Sequence, residues 1–133
     1  MRVVIDTNVL VSGLLSPYGA PGRIVNMVVS GALDVCYDAR VITEYREVLL
    51  RPKFSFEREY VGSIIEYMEC FGVPVSAKPL SKRLRDPDDE AFLEVAIAGS
   101  AEALITGNTS HYPLKGKRAT RILTPRQFLN RYY

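Results

Sequence analysis

Arg2-Val3-Val4-Ile5-Asp6-Thr7-Asn8 is the stretch that decides the fold. Three consecutive branched apolar residues, with no polar alternation, suit a strand buried on both faces, and such strands belong to parallel sheets covered by helices. The run stops at an acid followed by two small polar residues, which places Asp6 at the carboxyl end of the strand. In open α/β sheets those ends border the crevice where ligands bind.

Working outward, the chain alternates helical and short apolar segments. Val9 to Leu15 is expected as a short helix stopped by Ser16-Pro17. Pro21-Gly22 opens a second, with Ile24, Val25, Val28 and Val29 at helical spacing before Gly31. Leu33 to Tyr37 reads as a strand, and Ala39 to Leu50 as a helix with Val41, Ile42, Tyr45, Val48 and Leu49 on one stripe and Glu44 at its border. Glu57 to Phe71 is a further helix whose core face is Tyr60, Val61, Ile64, Ile65 and Met68, followed by the extended Val73-Pro74-Val75. Asp86-Pro87-Asp88-Asp89-Glu90 opens a helix, since acids favour its positive N-terminal end. Ala103 to Thr106 and Arg121 to Leu123 are strands, and Thr124-Pro125 starts a last helix through Arg131. The expected fold is α/β: a single domain over residues 1–133, with a short parallel sheet flanked by helices on both faces.

Composition narrows the classes. A chain of 133 residues with 47% hydrophobic and 24% charged side chains is one ordinary globular domain, not a fibrous or disordered chain. No apolar run approaches the ~18 residues a spanning helix needs, and no small-residue leader cleavage site is evident, so a cytoplasmic location without membrane attachment is expected. Cys36 and Cys70 fall in a strand and a helix and read as small core thiols, not as a disulfide framework or zinc site. The net charge of +2 is unevenly spread. Lys115, Lys117, Arg118, Arg121, Arg126 and Arg131 lie in residues 103–133 without any acid, leaving 11 of the 17 basic residues and all 15 acids in 1–102. A local +6 attracts phosphate, or simply keeps a surface solvated; on charge alone the two readings balance.

Three acidic positions stand where solvation alone does not require them: Asp6 at a strand end, Glu44 beside a core stripe, and Asp88-Asp89 at a helix start. Singly, each has a plain explanation: an Asx turn through Thr7 and Asn8, a helix-surface charge, or an N-cap. Gathered together, carboxylates repel one another and need protonation or a cation to compensate. Oxygen ligands without thiolates or paired histidines favour Mg²⁺ or Mn²⁺ over zinc, and such cations activate water and stabilise charge developing on a phosphodiester. Spacing alone does not show that the three meet.

Val3-Val4-Ile5-Asp6-Thr7-Asn8 resembles the opening motif of PIN-domain proteins, and further landmarks follow in order along essentially the whole chain. Glu44 in Ile42-Thr43-Glu44-Tyr45 is similar to the family's second acidic position, and Asp89, with Ala96 seven residues later, to its third. Leu104-Ile105-Thr106-Gly107-Asn108 resembles the strand and turn preceding the fourth. The resemblance implies a Mg²⁺- or Mn²⁺-dependent endonuclease of single-stranded RNA, with Asp6, Glu44 and Asp89 as catalytic metal ligands. Asp86-Pro87-Asp88-Asp89 and Gly107-Asn108 with His111-Tyr112 are similar to a subgroup of VapC-like toxin components, which implies a small antitoxin protein as partner. The chain departs from the pattern at the fourth acid, where Asn108 stands, and His111 occupies the place where many toxins carry another aspartate. Asn108 is then an auxiliary ligand that supplies no charge, and a non-catalytic RNA-binding or regulatory module is the competing reading.

Two adjacent acids at a helix start point in different directions, so only one faces the crevice; Asp89 is preferred over Asp88, and Asp86 orders the Pro87 turn. Thr7, Asn8 and Thr106 are candidates to orient ligands from behind, or to serve only the backbone. His111, the only histidine, is either a surface residue or a general acid toward a leaving oxygen. Lys115, Lys117, Arg118 and Arg85 are the candidate RNA-binding cations, with Tyr112 or Phe54 as stacking or packing rings. The amphipathic helices at 24–29 and 60–71 face the core or a homodimer partner. A serine or cysteine hydrolase is disfavoured by the absence of a nucleophile elbow, and no Gly-rich nucleotide loop is present.

Overall fold

β1 (Arg2–Ile5) lies at the centre of the sheet, because Val3, Val4 and Ile5 are all fully buried. Successive strand side chains point to opposite faces, so burial of three in a row requires cover on both. The computed structural model describes residues 1–113 and 119–133. Among the described residues, the sheet has five parallel strands in the order β3-β2-β1-β4-β5. Its other members are β2 (Asp34–Tyr37), β3 (Val73–Pro74), β4 (Ala103–Ile105) and β5 (Arg121–Leu123). The chain builds outward from β1 through β2 to β3, then returns to place β4 on the opposite side of β1. That reversal makes the carboxyl edge between β1 and β4 the topological switch point. The register pairs Ile5 with Ile105, so Asp6 and Thr106 emerge side by side just beyond it, with the Asp6 amide donating to the Ile105 carbonyl at 2.9 Å.

The helices are α1 (Thr7–Leu15), α2 (Ala20–Val29), α3 (Ala39–Leu49), α4 (Arg58–Phe71), α5 (Pro87–Ala98) and α6 (Pro125–Tyr132). Single 3-10 turns occur at Pro52–Phe54 and Thr109–His111. α5 packs across β1, β2 and β4, while α6 packs on β4 and β5 and against α2. None of the described helices is long and apolar enough to cross a membrane.

Several expectations need correction. α1 begins at Thr7, two residues earlier than expected, because Asp6 adopts the extended N-cap conformation and its carbonyl at once accepts the Val9 N–H at 3.0 Å. Asp6-Thr7-Asn8 is therefore a strand-to-helix junction, not a separate turn. Cys36 is buried but Cys70 is exposed: the inward face of α4 is Val61, Ile64, Ile65 and Met68, and Cys70 lies about 200° around the helix from Met68. Tyr60 and Val29, 53% and 41% exposed, sit just outside their helices' buried stripes rather than in the core. Asp86 is the N-cap of α5, accepting the Asp88 N–H at 2.9 Å, which frees Asp88 and Asp89 from that duty.

α5 is buried on most sides, and its two core-facing acids are compensated. Glu90 accepts two hydrogen bonds from Arg83, each 3.0 Å, and one from the Leu84 N–H. Glu94 accepts from Arg40 at 2.7 Å and from the Leu80 N–H at 3.1 Å. Buried carboxylates survive only with such partners. Here they also tie the segment before α5 onto its surface.

Candidate active site

At the β1–α1 junction two of three consecutive polar side chains reach the end of β4 and the middle one reaches α3. The Asp6 carboxylate turns toward β4: its Oδ2 accepts the Thr106 hydroxyl at 2.9 Å and the Tyr112 hydroxyl at 3.0 Å. Thr7 donates its hydroxyl to Glu44 Oε2 on α3. Asn8 accepts the Gly107 N–H at 2.9 Å, and a Cβ on Gly107 would come within 3.2 Å of that amide oxygen. Thr106 in turn accepts the Asn108 N–H at 3.0 Å. The strand ends and α3 are thus pinned to one another around Asp6 by side chains that are themselves mostly buried.

Asp89 comes from the first turn of α5. Its Oδ1 lies 3.5 Å from the Tyr112 hydroxyl, a contact too long for a full hydrogen bond. Its Oδ2 is buried without a hydrogen-bond partner, though His111 Nδ1 lies 3.3 Å away. Asp88 is exposed and turns the other way, into a groove of about 600 Å³ between α3 and α5 that also takes in Arg40, Glu44, Glu47, Arg51 and Phe92. Asp89 instead borders a cleft of about 590 Å³ with Arg85, Asp86, Ser110, His111 and Pro113. The first turn of α5 divides the two openings. Asn108 is exposed at the end of the Thr106-Gly107 turn. Lys115, Lys117 and Arg118 lie outside the described residues.

The electrostatics follow from this crowding. Burial raises the Asp6 pKa, against the opposing pull of the Thr106 and Tyr112 hydroxyls and the Thr7 amide. Burial likewise raises Glu44, with Thr7 opposing and Asp6, Asp88 and Asp89 adding repulsion. Asp89 is raised by burial and then by Asp6 and Asp86, with His111 opposing. Glu44 therefore senses the charge of Asp6 and Asp89, and Asp89 that of Asp6. Tyr112 and Tyr45, buried beside them, are held firmly as neutral phenols, first by burial and then by the neighbouring negative charge. Among the described residues, no three His, Cys, Asp or Glu side chains already converge at ligand positions. The donor set still fits a hard divalent cation: it is all oxygen, its carboxylates repel one another, and one buried carboxylate oxygen accepts no hydrogen bond.

Two residues here carry more of the site's geometry than their sequence context suggested. Tyr112 is buried with its hydroxyl on Asp6, and Tyr45 donates its hydroxyl from α3 to the Ile5 carbonyl immediately before Asp6. For Tyr45 the signal was available, since a tyrosine on an otherwise aliphatic stripe needs a buried acceptor. Tyr112 lies in an aperiodic turn and gave no such signal.

Comparison with known proteins adds to this geometry. Residues 2–110 match the family model described as the PIN domain. An uncharacterized protein of Methanocaldococcus jannaschii, MJ1680, is 28% identical across a 146-residue alignment that takes in 99% of this chain and 92% of that protein. Because the family match runs from the first strand to the turn beyond β4, the chain belongs to the PIN-domain family, whose members are generally metal-dependent nucleases.

Proposed function

We propose that this chain is an endoribonuclease that hydrolyses phosphodiester bonds of single-stranded RNA with Mg²⁺ or Mn²⁺, held by Asp6, Glu44 and Asp89. The observation that carries the reading is the buried Oδ2 of Asp89, which accepts no hydrogen bond, at the carboxyl edge of the sheet where Asp6, Glu44 and Asp89 act on one another through their charges. A protein does not bury repelling carboxylates for stability, since each raised pKa opposes folding at neutral pH. Bound there, the cation supplies charge for the phosphate and a water of lowered pKa. Asp6 is oriented by Thr106, and Glu44 by Thr7, so both carboxylates are held before any ligand arrives. Asn108 offers an auxiliary neutral oxygen, and Asp88, exposed in the groove it shares with Glu44, is the less favoured ligand.

Attack by water on phosphorus would break the bond to the leaving oxygen: the water releases a proton to solvent, and the leaving oxygen takes one up. His111, half exposed beside Asp89 in the cleft that holds Arg85, is the group positioned to supply it. Arg85, Lys115, Lys117 and Arg118 are the proposed contacts to the RNA backbone. The finer reading is the toxin component of a toxin–antitoxin pair, with a small antitoxin, or a second copy of this chain, covering the exposed Tyr60 and Phe71 of α4. A small adjacent open reading frame would support the toxin assignment, and its absence would favour a stand-alone nuclease.

The deciding experiment is cleavage of labelled single-stranded RNA by purified protein in Mn²⁺, Mg²⁺ or EDTA, with Asp6→Asn alongside. Metal-dependent cutting lost in the variant is the expected result. Failure of the wild type to cut varied RNAs that it nevertheless binds would replace the nuclease with a binding module, the reading favoured by a neutral residue at position 108.

A further inference from the structure

We propose that Tyr112 is a positioning residue for the metal-binding carboxylates, its hydroxyl fixing the orientation of Asp6 and setting the spacing of Asp6 from Asp89. The inference rests on the metal-dependent reading above and adds a residue to it. Asp6 Oδ2 accepts two hydroxyls, from Thr106 at 2.9 Å and from Tyr112 at 3.0 Å. A carboxylate oxygen has about two lone-pair sites, so this oxygen is fully used and Oδ1 keeps lone pairs to spare for a cation. The arrangement removes the freedom of the carboxylate to rotate.

The tyrosine is suited to that work because it cannot wander. Its ring belongs to the hydrophobic core, with only 2% of the residue exposed, while the tip reaches the acids. The same hydroxyl stands 3.5 Å from Asp89 Oδ1, so it lies between the two carboxylates while bonding fully to only one. One phenol proton serves Asp6, and the oxygen behind it stands between Asp6 and Asp89 and keeps the two carboxylates apart. The preceding residue, His111, meets the other Asp89 oxygen, so a single short turn delivers both contacts. Phenylalanine would fill the same volume and supply neither the donor nor the spacer.

The test is Mn²⁺ binding to the full chain, followed by calorimetry and by the Mn²⁺-induced rise in melting temperature over EDTA, comparing wild type with Tyr112→Phe. Loss of an outer partner of a metal ligand typically weakens affinity about 10–100-fold, and this is the expected change in Kd. The rise in melting temperature at a fixed, subsaturating Mn²⁺ concentration should shrink accordingly. A merely structural tyrosine would lower the melting temperature equally with and without Mn²⁺ and leave Kd alone; that result overturns the inference while leaving the metal reading intact. Absence of Mn²⁺ binding by the wild type overturns both. Should Tyr112→Phe fail to fold, Thr106→Val removes the other donor from the same oxygen while keeping the tyrosine: weakened binding supports control of the metal through Asp6 Oδ2, and unchanged binding overturns it.

Discussion

Thr106→Val probes the centre of the site without changing its shape. The residue is fully buried at the end of β4, and its hydroxyl both donates to Asp6 at 2.9 Å and accepts from the Asn108 N–H at 3.0 Å. A hydrogen bond to an ionised group contributes roughly 1.5–3 kcal/mol, and a neutral one about 0.5–1.5 kcal/mol. Asn108 is exposed, so its amide can turn to water and most of the second contribution is recovered. The added methyl of valine regains a little apolar burial, which leaves a net loss of about 2 kcal/mol. With an unfolding entropy near ~2.1 cal/mol/K per residue, this is a fall in melting temperature of roughly 7 °C in EDTA. The loss should also depend on pH. Burial raises the folded pKa of Asp6, and the Thr106 hydroxyl pulls it back down. Removing the hydroxyl raises it further, so the folded variant binds that proton more tightly still. The deficit is therefore largest where Asp6 is ionised in both proteins, and it narrows as pH falls through the raised pKa toward the ordinary carboxylate value of about 4. Thermal unfolding of both proteins in EDTA from neutral to mildly acidic pH measures it. A deficit that is absent, or constant across that range, would refute the role given to this hydroxyl.

Tyr45→Phe removes the donor to the Ile5 carbonyl from a fully buried site and should cost about 1–3 kcal/mol in urea or thermal unfolding; a loss within error of zero would mean that the carbonyl has another partner. Glu90→Gln weakens the grip of α5 on Arg83 and the Leu84 amide, so trypsin should cut faster after Lys82, Arg83 and Arg85. Unchanged cleavage would show that Glu94 alone, through Leu80, holds the segment. Lys115→Glu with Arg118→Glu should weaken RNA binding and make the slope of log K against log salt shallower by about 1.4, at ~0.7 per single-strand phosphate contact. An unchanged slope reduces those two cations to a solubility feature.

The order of elements was legible because the strands centre on short apolar runs and α2, α3 and α4 carry a 3.6-residue stripe. Leu104-Ile105 reads as buried strand, and of the stripe Val41, Ile42, Tyr45, Val48 and Leu49 all but the half-buried Val48 form the buried face of α3. Boundaries were less legible. The sequence shows three polar residues after Ile5 and cannot show that Asp6 gives its backbone to the helix while withholding its side chain from capping it. At the edges of the stripes the same limit appears: Tyr60 and Val29 satisfy the helical spacing yet lie where no neighbour covers them.

Whether acids from distant positions approach one another is a question of register and helix phase, and here both can be traced to particular residues. The pairing of Ile5 with Ile105 puts Asp6 beside Thr106. For α5 the start is fixed by Asp86, whose side chain caps the helix through the Asp88 amide and makes Pro87 the first helical residue, and the phase by its packed face. Asp89 then shares its side with Leu93 and Ala96, four and seven residues on, both buried in a helix that packs on β1 and β4. Asp88, turned by about 100°, opens instead on the groove beside α3. The packing of Leu93 and Ala96 therefore determines which of two adjacent acids comes beside Asp6, while the Asp86 cap leaves both free of capping. Tyr112 follows no such rule. It reaches Asp6 from a 3-10 turn, across 106 positions of sequence, through a hydroxyl that no periodicity places, so its part in the site rests on the folded geometry alone.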